Sequence, residues 1–180
     1  MKKINWGIIG LGYIANQFAN AFSMVGNANI KGIASLDKDK LISFKKKFNI
    51  DERFCFNNYE DLISSPNIDI IYIALPNSLH TKYIQKSINE KKNILVEKPA
   101  FIDFKDLSVL KDSLQKQKIF FTEAFMYRYL PYFQKLKKII ETNVLGKIVN
   151  IHSTFNTKVY KQKKFFGIKI KKPDYSNRLF

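Results

Sequence analysis

Short continuous apolar runs alternate along this chain with stretches of helical period. Ile4–Ile9 is apolar, ends in glycines and predicts a buried strand. Residues 14–24 place Ile14, Phe18, Ala21 and Phe22 at helical spacing, so a helix is expected there. A strand is expected over 29–35. Lys38–Phe48 reads as an amphipathic helix with Leu41, Phe44 and Phe48 inward and lysines outward. A brief strand follows at 53–56, then a short helix over Tyr59–Ser64 that Asn57 or Asn58 can cap. The run IDIIYIAL at 68–75 is apolar and β-branched almost throughout, the mark of a central strand covered on both faces. A helix over 78–90, a strand over Asn93–Val96, a helix over 103–116 with Asp103 as N-cap, and a strand over 119–122 complete the series. This order predicts βαβ units, right-handed crossovers and a parallel sheet.

The pattern changes after residue 124. A helix is expected over 130–142, ending near Asn143 and Gly146. Residues 148–155 alternate apolar and polar, which suits a half-exposed antiparallel strand. The remainder is lysine-rich and without a clear period. We therefore expect a first domain over 1–123 and, over 124–180, the start of a second, α+β domain too short to complete a core.

Aromatic residues make up 14% and apolar residues 46% of the 180, enough for a packed core. No apolar run reaches the roughly 18 residues that cross a bilayer. Cys55 has no cysteine partner, and one cysteine with two histidines disfavours a structural zinc site. Lys2 and Lys3 before an apolar stretch imitate a secretory signal. The glycines at 7, 10 and 12 interrupt that stretch, and we expect a cytoplasmic protein rather than export. The net charge of +16 raises polyanion binding. Only Arg53, Arg128 and Arg178 are arginines, however, and specific readers of nucleic acid depend on arginine's planar fork. A chain rich in Ile, Lys, Phe and Asn is what an AT-rich genome encodes, so neither nucleic acid nor membrane is the expected partner. The one local excess is the acid-free, lysine-rich segment from Thr142 to Pro173.

Three motifs carry chemistry. Gly10-Leu11-Gly12-Tyr13-Ile14-Ala15 fits G-x-G-x-x-A between a strand and a helix. Gly10 permits the tight turn, Gly12 lets the backbone approach a diphosphate, and Ala15 keeps the helix near the sheet. With the strand–helix order, this predicts a Rossmann-type doubly wound sheet that binds a dinucleotide. The second strand ends Ser35-Leu36-Asp37-Lys38. Asp37 can reach a ribose 2′-hydroxyl, or Ser35 with Lys38 can accept a 2′-phosphate; capping the next helix is an equal role for Asp37. Leu75-Pro76-Asn77 closes a strand at its carboxyl end, where ligands sit in open α/β sheets. Asn77 can cap the helix that follows, and His80 lies in its first turn; a lone histidine is more often structural than ligating. Glu97-Lys98-Pro99 lies at the end of the next strand. Pro99 stiffens it and is a candidate for a cis bond. Lys98, beside a cationic nicotinamide, has reason to exchange a proton near neutrality or to steady an alkoxide.

Taken together these residues resemble the Gfo/Idh/MocA family, oxidoreductases related to glucose–fructose oxidoreductase and inositol dehydrogenase. The similarity lies in the N-terminal GLGYIA, ALPNSLH ending at His80 and followed by YIQKS, KNILVEKP ending at Pro99, and EAFMYRYLP starting at Glu123. The last is most like the dihydrodiol dehydrogenase branch, and Gly146-Lys147-Ile148-Val149 looks like the entry into the second-domain sheet. The resemblance implies NAD or NADP on the first domain and a sugar, cyclitol or related polyol on the second. It implies hydride transfer between the nicotinamide and a hydroxyl-bearing carbon, with Lys98 in proton transfer or electrostatic support. Asn77, His80 and Glu97 would line the nicotinamide-ribose end, Leu75 and Pro76 would also bind the cofactor, and Arg128 would lie near it. The family's later glycine-rich segment with its Asp and His has no counterpart after Pro173. The resemblance thus implies a truncated member of a family whose full-length proteins are homo-oligomers. A non-catalytic dinucleotide-binding module and a polyanion-binding protein are the competing expectations.

Overall fold

The computed structural model describes residues 3–154. The chain divides into two compact units, Met1–Leu130 and Pro131–Phe180. In the first, β1 (Ile4–Ile9), β2 (Ala28–Ala34), β3 (Cys55–Phe56), β4 (Ile70–Ile73), β5 (Asn93–Val96) and β6 (Phe121–Glu123) form one sheet in the order β3-β2-β1-β4-β5-β6. Every pairing is parallel. The helices between them are α1 (Tyr13–Asn20), α2 (Lys38–Phe48), α3 (Tyr59–Ser64), α4 (His80–Asn89) and α5 (Phe104–Lys116). This is the doubly wound Rossmann order, in which the winding direction reverses between β1 and β4.

Alternation along the strands explains the two layers. Ile9, Ile71, Ile73, Ile94 and Val96 pack in one core with Leu62 of α3, Ile84 and Ile88 of α4, and Leu110 of α5. Their neighbours Ile8, Ile33 and Tyr72 pack in another with Ala15 and Ala19 of α1 and Phe44 of α2. All four residues of β4 are buried, as its apolar run requires of a strand covered on both faces.

Bounds of β1, α2, α3 and β5 match the sequence expectation. Elsewhere the structure corrects it. The helix expected over 14–24 is α1 followed by a 3₁₀ turn, Ala21–Met24, that carries Phe22 onto Trp6 and Phe18. β4 is shorter than 68–75, because Ala74 and Leu75 leave the strand to meet the turn at Gly10. Asn58, not Asn57, caps α3 by accepting from the Asp61 N–H at 2.8 Å. Asp103 caps α5 as expected.

In the second unit, α6 (Pro131–Glu141) has Phe133, Leu136 and Ile140 on one side, partly exposed. Residues 148–154 form no strand, although their alternation predicted one. Alternation suits a strand but does not supply the neighbour whose backbone must pair with it. Phe155, all but one of the lysines between Thr142 and Pro173, and the 174–180 segment lie outside the described residues. Among the described residues no helix is long and apolar enough to cross a membrane.

Candidate functional site

The turn after β1 contains two glycines with opposite surroundings. Gly10 has φ +86°, and a Cβ there would lie 2.5 Å from the Ala74 carbonyl oxygen. Only glycine fits, so the ends of β1 and β4 meet through bare backbone. Gly12 has an ordinary φ of −81° as N-cap of α1, and a Cβ there would meet nothing within 4 Å. Among the described residues, space is therefore open in front of α1. That helix has no acid in its first turn and no side-chain cap. Its first N–H groups and its positive dipole end are available to an anion, which suits a diphosphate. Ala15 is fully buried and seats α1 on the sheet, Tyr13 is exposed and Ile14 half-buried. Asn16 donates its amide to the Gly12 carbonyl at 3.1 Å, and Lys47 in turn donates to the Asn16 side chain at 2.9 Å.

The end of β2 resolves one open reading. Asp37 is the N-cap of α2: its Oδ1 accepts from the N–H groups of Asp39 and Lys40, each at 3.1 Å. Its Oδ2 pairs with Lys40 Nζ at 3.0 Å. The Lys40 N–H foremost, then the Lys40 ammonium, hold this carboxyl below the ordinary carboxylate range. Ser35 is buried; its Oγ accepts from the Asp37 N–H at 3.1 Å. Its own N–H donates to the Phe56 carbonyl at 3.2 Å. Beside it lies a cleft of about 380 Å³ lined by Lys38, Leu41, Ile42, Cys55, Phe56 and Asn57.

The segment carrying Lys98 is held from three elements. Tyr72 of β4 donates its hydroxyl to Glu97 Oε1 at 2.6 Å. His80 of α4 places Nδ1 2.8 Å from the Pro99 carbonyl oxygen. Glu123 of β6 accepts the Ala100 N–H at 2.7 Å. Lys98 and Pro99 are exposed, and the bond between them is cis. Burial, then the Glu97 carboxylate, push the Tyr72 phenol far above its ordinary value.

His80 takes the structural role that a lone histidine more often has. It is fully buried, and its Nε2 lies 2.8 Å from the Leu75 carbonyl oxygen. Each ring nitrogen lies 2.8 Å from a main-chain carbonyl oxygen, so the ring joins the end of β4 to the segment carrying Lys98. Asn77 does not cap α4. It begins a 3₁₀ turn, Asn77–Leu79, leading into the helix, and with Pro76 it is exposed while Leu75 is buried. Arg128 is exposed in the 3₁₀ turn Met126–Tyr129. Sequence reasoning missed Tyr72 and Glu123 as supports. Tyr72 is the one hydroxyl in an otherwise apolar strand, the only trace it leaves in the sequence.

Comparison with known proteins agrees with this fold. The model of a family described as "Oxidoreductase family, NAD-binding Rossmann fold" matches residues 4–125. The glucose-6-phosphate 3-dehydrogenase of Bacillus subtilis is 34% identical over 166 residues, 92% of this chain and 45% of that protein. A 3-ketoreductase from Actinomadura kijaniata, in complex with TDP-benzene and NADP, superposes with TM-score 0.72 at 25% identity, covering 82% of this chain and 45% of that one. The scyllo-inositol dehydrogenase from Lactobacillus casei, with bound NAD(H) and scyllo-inositol, superposes with TM-score 0.73 at 23% identity, covering 81% and 43%. The chain spans about half the length of the relatives it matches.

Proposed function

The chain belongs to the Gfo/Idh/MocA oxidoreductase family, and from that premise we propose that it supplies the dinucleotide-binding part of an NAD(P)-dependent dehydrogenase acting on a sugar, cyclitol or related polyol. The observation that carries the proposal is the empty space at Gly12 in front of an uncapped, acid-free helix end, at the point where the sheet reverses its winding. Gly10, Gly12 and the first N–H groups of α1 hold the diphosphate. The cleft beside Ser35, with Leu41, Ile42 and Phe56 as apolar walls, takes the adenosine end. A bound nicotinamide supplies the hydride acceptor or donor.

Lys98 takes the proton from the substrate hydroxyl in oxidation, returns it in reduction, and steadies the charge on that oxygen between the two. His80 and Glu123 hold main-chain atoms of Pro99 and Ala100 just after it, and Tyr72 holds the Glu97 side chain just before it. Pro76, Asn77 and Glu97 face the same end of the sheet, at the carboxyl ends of β4 and β5, and Arg128 follows β6.

The test has two parts. NADH and NADPH titrated into the purified protein should show saturable enhancement of their fluorescence. With the natural gene product and a panel of sugars and cyclitols, Lys98→Ala should lower kcat by about two orders of magnitude or more while leaving dinucleotide affinity in place. Absence of saturable dinucleotide binding would overturn the binding assignment, and an undiminished kcat in Lys98→Ala would overturn the role of Lys98.

A further inference from the structure

We infer that the cleft at the end of β2 selects the 2′-phosphorylated dinucleotide, NADP, with Lys38 as the residue that discriminates; the inference rests on the dinucleotide-binding function proposed above. Selectivity at this position is a matter of which group meets the adenosine ribose. A carboxylate with a free oxygen accepts the 2′-hydroxyl of NAD and repels a 2′-phosphate; a cation does the reverse.

The nearest acid is withdrawn from that competition. Asp37 has one carboxylate oxygen on two backbone N–H groups and the other on the Lys40 ammonium. To bind a ribose diol it would have to give up the cap of α2. The residue that follows β2 is Ser35, a neutral hydroxyl that is buried and pinned between the Phe56 carbonyl and the Asp37 N–H. Of the six residues that line the cleft, Lys38 is the only charged one. Asp39, its acidic neighbour, is absent from that lining. One residue further along a helix is a turn of about 100°, which carries a side chain to another face. The adjoining charges are therefore a lysine facing the cleft, an aspartate neutralised by its cap and by Lys40, and an aspartate facing elsewhere.

The experiment is a pair of calorimetric titrations, NADP and NAD, repeated with Lys38→Gln. NADP is expected to bind at least about tenfold more tightly than NAD, and 2′,5′-ADP should bind where 5′-AMP does not compete at equal concentration. Lys38→Gln should weaken NADP by about tenfold, leave NAD within about twofold, and lessen the salt dependence of NADP binding. Lys38 is exposed, so this substitution leaves the fold intact. Equal or tighter binding of NAD overturns the inference while the dinucleotide-binding assignment stands. NADP preference that survives in Lys38→Gln overturns the role of Lys38. Failure of both cofactors to bind overturns the underlying assignment and this inference with it.

Discussion

The imidazole of His80 is bonded to the carbonyl of Pro99, nineteen residues away, while its other nitrogen holds the carbonyl of Leu75. One buried ring thus ties the end of β4 to the segment that presents Lys98. A neutral imidazole has one N–H and satisfies one of these oxygens; the imidazolium satisfies both.

His80→Ala removes the ring's contacts with these carbonyls and leaves a void among α4, β4 and the 97–100 segment. We expect a loss of roughly 2–5 kcal/mol in urea unfolding, with His80→Asn losing less because its amide still reaches one carbonyl. A loss below about 1 kcal/mol would show that the ring is not a clasp.

The two glycines of the phosphate turn should separate stability from binding. Gly10→Ala forces a side chain into the left-handed region and against the Ala74 oxygen. It should cost at least about 2 kcal/mol. Gly12→Ala meets nothing, so unfolding should change by less than about 1 kcal/mol while dinucleotide affinity falls by at least about tenfold. Normal binding by Gly12→Ala would mean that the open space is not where the diphosphate lies.

Much of this was legible in the sequence, and the boundary between what was and was not has a physical basis. Period and punctuation are local. The run through Ile70–Ile73 announced a central strand, and Gly10 and Gly12 announced a turn before a helix. Contacts between distant elements leave no period. His80 was placed correctly in a first helical turn, yet spacing does not say which way a ring faces. The Tyr72–Glu97 and Glu123–Ala100 bonds join residues that only the strand order brings together. Asp37 suits a cap and a ribose equally by sequence, and only the placement of α2 brings the Asp39 and Lys40 N–H groups to its carboxylate.

Alkaline pH should expose the Tyr72 bond. In the folded chain burial and Glu97 raise this phenol above its unfolded value of 10.0. The unfolded chain then loses that proton first, so the contribution is complete below pH 10 and declines as pH rises through and beyond it. Lys92 acts in the opposite sense: burial lowers its ammonium, which donates to the carbonyls of Ser65 and Ile68. The Tyr72 effect is therefore read as a difference. Urea midpoints should fall more steeply between about pH 9 and 11 in the parent protein than in Tyr72→Phe. Parallel curves would refute it.

At the acid end the informative group is Asp51. The Arg53 guanidinium, bonded to its carboxylate, holds it at about 2, against an ordinary 3.8. A depressed carboxyl contributes stability that is complete above the unfolded value and is lost as pH falls toward 2. Carboxyl-carbon NMR titration should place Asp51 near 2, and Arg53→Ala should return it toward 3.8.

β6 is only three residues long and forms one rim of the sheet, with a single neighbouring strand among the described residues. Rims fray before interiors do. Because Glu123 on that rim anchors the Ala100 amide, each excursion of the margin also slackens the tether behind Lys98. Whatever braces β6 from outside will therefore steady the segment that carries Lys98, and amide exchange at Phe121–Glu123 should rise and fall in step with exchange at Ala100.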